Sequence, residues 1–272
     1  MKEKIKAAII CLALVLSISM MPTIQVQAAS AYGTIALSPE RAAAYEKVRN
    51  MAAGLQAQAD IAAQRTFGHN VKVVNYSDPN ELGLVFESHG SGVIAAMDGN
   101  MVYIATAAHC LKRAHTKVTF ADGNSYDAVV GYKNENKDVG FLLVSQAALK
   151  TKTLAVALPA AGADAAAVGK VQQDPLFAIS SSGVPNGLIL PGVLDCYSVV
   201  YPNNPSQNVM QFLSTASYGS SGGGVYTMEG IWLGIVSGGD TFGKCWAVPY
   251  SDIMAELYGW LTMLAMQQTS GV

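Results

Sequence analysis

Tyr218-Gly219-Ser220-Ser221-Gly222-Gly223-Gly224 sets a serine among glycines, between the apolar runs 210–213 and 225–226. Glycine lets the backbone bend so that successive N–H groups point into one small space. In such a loop the N–H groups of Gly219 and Ser221 would hold a developing oxyanion, with the Ser221 hydroxyl at its rim. Removing one donor of this kind costs about 3–4 kcal/mol of transition-state stabilisation. The plainer reading is a glycine-rich hairpin in a β protein. What separates the two readings is a base, and a group to orient that base.

The chain offers both upstream. Thr106-Ala107-Ala108-His109-Cys110 closes one apolar run, and Asp138-Val139-Gly140-Phe141-Leu142-Leu143-Val144 puts an acid at the head of another. Alone, a histidine beside a cysteine is ordinary, and an aspartate before a strand is a common cap or turn residue. Thr-Ala-Ala-His-Cys, Asp-x-x-x-Leu-Leu and Gly-x-Ser-Gly-Gly in this order resemble the trypsin-like (chymotrypsin-fold) serine proteases. Gaps of 29 residues from His109 to Asp138 and 83 from Asp138 to Ser221 resemble the compact bacterial branch that includes HtrA and V8-like enzymes. The resemblance runs over residues 71–258, and no PDZ domain is expected after them.

The resemblance implies an all-β fold of two six-stranded antiparallel β-barrels, here with an N-terminal and a C-terminal helix. It implies a serine endopeptidase that needs no cofactor and acts on polypeptides through an acyl-enzyme. Ser221 would be the nucleophile, His109 its general base, and Asp138 the group that fixes the imidazole tautomer. The N–H groups of Gly219 and Ser221 would form the oxyanion hole. His69, His89 and His115 lack the flanking pattern and are left outside catalysis. The alternative is a silent trypsin-fold binding or adhesive module.

Several positions depart from the family pattern. Ser220 stands where digestive relatives carry an Asp that pairs with a freshly cut N-terminus, so activation by that ion pair is not expected. Gly224 stands where many relatives have Pro. The resemblance places the primary pocket at Thr215, Ala216 and Ser217 and at Val236, Ser237 and Gly238. No acid sits there to select Lys or Arg. Leu213-Ser214-Thr215 is similar to the glutamyl endopeptidases, but Val236 replaces their pocket histidine. A small-to-medium apolar P1 residue is the expectation. The usual bridge from the cysteine after the catalytic His is absent, because His89 occupies the partner position. With Cys110 expected beside the site, Cys196–Cys245 is the preferred disulfide.

The rest of the chain bounds these readings. Residues 1–6 carry three Lys and one Glu, residues 7–21 are almost wholly apolar, and Val26-Gln27-Ala28 supplies small residues for a cut. Residues 1–28 therefore read as a secretory signal peptide, with an uncleaved anchor helix as the alternative. The exported chain would be extracellular or periplasmic. Without residues 1–28, 14 basic and 18 acidic residues remain, a net charge of −4. No basic stretch interleaves with aromatics, so nucleic acid has no electrostatic footprint, and no other run is long and apolar enough to span a bilayer. Cys11 leaves with the leader, and three cysteines are an odd count. No C-x-x-C or H-x-x-x-H cluster suggests a metal.

Residues 29–69 form a separate segment. Ser38-Pro39-Glu40 reads as a helix start, and Ala44, Val48, Met51, Leu55 and Ile61 make a broken apolar stripe. This is a removable pro-segment, a helix packed permanently on the barrel, or an interaction helix for a partner. The protease domain is assigned to 70–272. Asp98-Gly99, Asp122-Gly123 and residues 227–230 punctuate hairpins. Strands are predicted at 71–76, 82–87, 92–96, 101–105, 117–120, 125–132, 139–144, 176–180, 187–190, 193–200, 209–213, 225–226 and 231–236. Residues 146–170 join the halves, with 160–167 as a solvated loop. Ile253, Leu257, Trp260 or Leu261, and Leu264 lie on one face of a C-terminal helix.

Overall fold

A computed structural model describes residues 38–150, 172–181 and 187–269. The strands close into two six-stranded antiparallel barrels. The first holds β1 (Asn70–Tyr76), β2 (Glu87–Met97), β3 (Met101–Thr106), β4 (His115–Thr119), β5 (Ser125–Asn134) and β6 (Val139–Ser145). Around it the order is β1-β2-β3-β6-β5-β4, and β4 pairs back to β1 through Lys72↔Thr119 to Tyr76↔His115. The second holds β7 (Pro175–Ser180), β8 (Leu188–Tyr201), β9 (Asn204–Ser214), β10 (Gly224–Thr227), β11 (Trp232–Gly239) and β12 (Lys244–Pro249). It closes where β10 meets β7, Val225 opposite Ala178. Helix α1 (Pro39–Ala63) precedes the barrels and α2 (Tyr250–Thr269) follows them. The expected fold is found.

The hairpins turn where the sequence is punctuated. Asp98 Oδ1 accepts the N–H groups of Asn100 and Met101 at 2.9 and 2.8 Å, and Gly99 takes a φ of 92°. That is an Asx turn closed by a left-handed residue, which glycine adopts without a Cβ penalty. The predicted strand at 82–87 is a correction: only Glu87 belongs to a strand. Asn80 Oδ1 instead takes the N–H groups of Leu82 and Leu84, folding that stretch into a turn. The two predicted strands at 187–190 and 193–200 are one, β8. It passes from β7 to β9 at Gly192 and Val193, the positions paired to both. Pro191 stands opposite Phe177 in the β7–β8 ladder but has no paired partner on β9, the side on which its carbonyl accepts Ser214 Oγ–H, so its missing N–H costs no strand pairing there. Most of the predicted connection at 146–170, including 160–167, lies outside the described residues.

Apolar runs in these strands are continuous because both faces are buried. On β3, Val102 and Ile104 enter the first barrel, while Tyr103 and Ala105 face outward into a third cluster. On β7, Leu176 and Ala178 enter the second barrel and Phe177 and Ile179 face out. The third cluster joins the outer faces of both barrels with both helices. Ile253, Leu257 and Trp260 of α2 are buried there as expected, and Trp260 stacks on Phe141 with centroids 6.0 Å apart. Leu264 is exposed, so the face does not extend to the last turns of α2.

Helix α1 docks differently from the expected stripe. Its buried residues are Val48, Ala52, Ala59, Ala62 and Ala63, while Ile61 is exposed. Alanines let the helix axis approach the barrel closely, so the docking face is small rather than greasy. Beyond the helix, Asn70 Nδ2 donates to Thr66 O at 2.8 Å and Tyr226 Oη at 2.9 Å, and Asn70 Oδ1 accepts Gly224 N–H at 3.2 Å. The segment that precedes the barrels is thus tied into the strand after the serine loop. Ala59→Asp would place a charge at a position with no solvent exposure. It is expected to cost about 3 kcal/mol or more. A domain of this size should then melt about 6–12 °C lower. An unchanged melting temperature in thermal unfolding would show that α1 is not part of the folded core.

Candidate functional site

His109 lies in a short 3₁₀ turn, Ala108–Cys110, directly after β3. Asp138 immediately precedes β6. Since β3 and β6 are paired, with Thr106 opposite Gly140, the two residues leave neighbouring strands at the same end of the barrel. Asp138 Oδ1 accepts the His109 backbone N–H at 2.9 Å, and its oxygens lie 3.0 and 2.9 Å from His109 Nδ1. The backbone contact fixes where the turn sits, and the ring contact fixes which nitrogen is engaged. Nδ1–H donates to the carboxylate, leaving Nε2 as the available nitrogen. The His109 side chain is 40% exposed and that of Asp138 11%. The Asp138 carboxylate, with a smaller contribution from Cys110, raises the imidazole pKa well above its ordinary value against an opposing effect of burial.

Behind Asp138 stands a residue to which the sequence reading gave only a pocket role. Ser237 Oγ donates to Asp138 Oδ2 and lies 3.3 Å from Tyr201 Oη. Ser237, expected in the primary pocket, lines the cleft and also turns its hydroxyl to the acid. Both Ser237 and Tyr201 belong to the second barrel, so the His–Asp pair of the first barrel is completed across the interface.

The serine loop is also held across the interface. Ser91 N–H donates to Ser221 O at 2.8 Å, and Ser91 Oγ donates to Gly219 O at 2.9 Å. Ser91 Oγ in turn accepts Ser181 N–H at 2.8 Å, and Ser91 O accepts Thr106 Oγ1–H at 2.7 Å. The loop's other N–H groups are used internally: Ser220 to Ser217 O, Gly222 to Val236 O and Gly223 to Ser220 O. Among the described residues, the N–H groups of Gly219 and Ser221 meet no acceptor. Gly219 and Gly222 have φ of 89° and 82°, a region L side chains enter at a cost. At Gly222 a Cβ would also stand 2.1 Å from Ser91 O. Ser220 is buried and its Oγ accepts Ser217 N–H at 3.3 Å, closing the loop on itself.

These groups share a cleft of about 780 Å³. His109, Asp138, Gly219 and Ser221 line it, as do Ala216, Ser217, Val236, Ser237 and Gly238 of the expected pocket. Thr215 does not. The lining extends to Gly239, whose hypothetical Cβ would meet Cys245 Sγ at 3.6 Å and Ala216 O at 3.9 Å. Tyr45 of α1 also lines the cleft. His89 lines it without touching His109, and His115 pairs with Asp78 away from it. Among the described residues, no group of three or more His, Cys, Asp or Glu side chains is placed to hold a metal ion.

The expected Cys196–Cys245 disulfide is corrected: Cys110, Cys196 and Cys245 are free thiols. Cys196 on β8 is exposed, whereas Cys245 on β12 is buried inside the second barrel, with Sγ 3.7 Å from Ser214 O. The two point to opposite sides of the barrel wall, so no bridge can join them. Burial raises the Cys245 pKa to about 12. Ser91, Tyr201 and Asn70 were missed as contributors. Each acts through partners tens of residues distant, and only the glycines flanking Ser91 marked its strand as unusual.

A family model described as a trypsin-like peptidase domain matches residues 90–235. No curated protein matches the chain.

The electrostatics of the pair yield a prediction. Asp138 favours the charged imidazole, so Asp138→Asn should lower the His109 pKa toward about 6.5. The stability that the pair adds is fully present below that unfolded value and is lost as pH rises through the raised folded one. Titration of the His109 ring by NMR checks this; an unmoved pKa in the Asn variant would refute the assignment of the carboxylate as its cause.

Proposed function

The chain belongs to the trypsin-like peptidase domain family, and from that premise we propose that it is an exported serine endopeptidase. The observation that carries the reading is a His–Asp pair sharing one cleft with Ser221 and two N–H groups that meet no acceptor among the described residues. Export is supported by the charged, apolar and small-residue order of residues 1–28.

In this reading Ser221 Oγ attacks the scissile carbonyl carbon while His109 Nε2 takes its proton. Charge gathers on the carbonyl oxygen, where the Gly219 and Ser221 N–H groups receive it. The imidazolium, steadied by Asp138, then protonates the departing amine, and the C–N bond breaks to leave an ester on Ser221. Water, deprotonated by His109, hydrolyses that ester, and the proton returns to Ser221. Replacing the acid of such a triad by its amide lowers kcat about 10⁴-fold, because the wrong tautomer is then presented.

Specificity follows from the pocket walls. Gly239 faces Ala216 and the neutral thiol of Cys245, an uncharged slot. Asp240 lines the cleft nearby, but its Oδ1 is engaged with the N–H groups of Phe242 and Lys244 at 2.8 and 2.9 Å. A small-to-medium apolar P1 side chain fits this chemistry. Residues 39–70 are read as a lasting part of the enzyme rather than a removable pro-segment, since Val48, Ala52, Ala59, Ala62, Ala63 and Asn70 are buried in the fold.

A fluorophosphonate probe should label the protein at Ser221, and both Ser221→Ala and His109→Ala should abolish labelling and casein hydrolysis. A P1 peptide library should favour Ala, Val or Leu. Strong preference for Arg, Lys or Glu would overturn the specificity, and absence of labelling in folded protein would favour the silent binding module.

A further inference from the structure

Outside the cleft, the carboxylate of Glu256 on α2 gathers three side-chain donors. Tyr132 Oη donates to Oε2, Asn134 Nδ2 donates to the same oxygen at 2.9 Å, and Lys137 Nζ pairs with Oε1 at 2.7 Å. The Glu256 side chain is 12% exposed. Burial opposes its ionisation, but the donors Lys137, Tyr132 and Asn134 outweigh that and hold its carboxyl below the ordinary range. Asp252, one turn earlier, is the other charged group near the pair.

All three donors belong to the end of β5 and the loop that runs to Asp138. Asn134 Oδ1 turns that loop by accepting the N–H groups of Asn136 and Lys137 at 3.1 and 3.2 Å. From the opposite side, Gln207 Nε2 donates to Lys137 O at 2.7 Å. The loop delivers Asp138 at a φ of 53°. A non-glycine residue in this region sits about 1–2 kcal/mol above the ordinary conformers. Such a backbone persists only when its surroundings impose it.

We infer that Glu256 is a positioning residue for the His109–Asp138 pair: by holding Tyr132, Asn134 and Lys137 it fixes the loop that seats the Asp138 carboxylate on the His109 ring. Its effect on turnover rests on the peptidase reading; its effect on the imidazole does not.

The test compares the full chain with Glu256→Ala, Glu256→Gln and, as a control on the same helix, Trp260→Phe. In a Ser221→Ala background, NMR titration of His109 should show the imidazole pKa fall by about one unit or more in Glu256→Ala. With Ser221 present, kcat on a peptide substrate should fall about 10- to 100-fold while KM stays within about threefold. Glu256→Gln, which still accepts from Tyr132 and Asn134, should recover most of both. Trp260→Phe should lower the melting temperature without moving the imidazole. An imidazole pKa unmoved in Glu256→Ala overturns the inference. So does a Trp260→Phe variant that shifts it equally. If Glu256→Ala does not fold, Lys137→Met, which removes the ion pair from the loop side, decides, and an imidazole unmoved in it overturns the inference. An imidazole shifted in Glu256→Ala, with a wild-type protein that hydrolyses no peptide, supports the positioning role and refutes the peptidase.

Discussion

The candidate site depends on one buried serine, Ser91, which bonds two carbonyls of the serine loop. Its N–H and hydroxyl hold Ser221 O and Gly219 O. A peptide is rigid, so fixing a carbonyl also fixes the N–H on the other side of that plane. With both carbonyls drawn toward the first barrel, the loop between them keeps one curvature. The contact requires the loop to approach β2 and β3 at backbone distance, and Gly222 makes that approach possible. Its position leaves no room for a Cβ between Ser91 O and Thr106 Oγ1.

The interface between the barrels is therefore chemical as well as apolar. Phe177, Tyr226, Phe141 and Trp260 supply the burial that presses the two halves together. Polar contacts set their register: Ser91 to the serine loop in one direction, Ser237 to Asp138 in the other. Each barrel thus holds a part of the site that the other completes. Buried hydrogen bonds of this kind contribute modestly when made and are costly when one partner is left alone, so a shifted interface is disfavoured even where the apolar packing would tolerate it.

How much of this was readable in the sequence follows the distance over which each device acts. His109, Asp138 and Ser221 were readable because each sits in a short motif at the end of an apolar strand. The Asp-Gly turns were readable for the same local reason. Ser237 was found but assigned to the pocket, since nothing in Val236-Ser237-Gly238 says that the hydroxyl turns toward an acid 99 residues away. The α1 stripe misled because large apolar residues were weighted over alanines, although close docking favours the small ones. The cysteine pairing failed because counting thiols does not reveal which side of a barrel wall each faces. Gly224 looked like a loss of the family's proline; its N–H is in use, donated to Asn70, which a proline has no hydrogen to do.

That last exchange bears on how the helices relate to the site. Asn70, the first residue of β1 and bonded back to Thr66 O just after α1, reaches the strand that leaves the serine loop. Glu256, on α2, reaches the loop that delivers Asp138. Asn70 thus holds backbone, and Glu256 side chains, close to a site residue, and neither lines the cleft itself. A two-barrel protein short of disulfides needs such braces, because strand pairing secures the strands but not the loops between them. The absence of a bridge at Cys110 then has a structural counterpart. Constraint that a covalent link would place on the loop beside His109 is supplied by the Asp138 carboxylate on the His109 backbone N–H. The same group holds the ring, so the bond that orders the turn and the bond that sets the ring's tautomer share one carboxylate, and loosening it frees both.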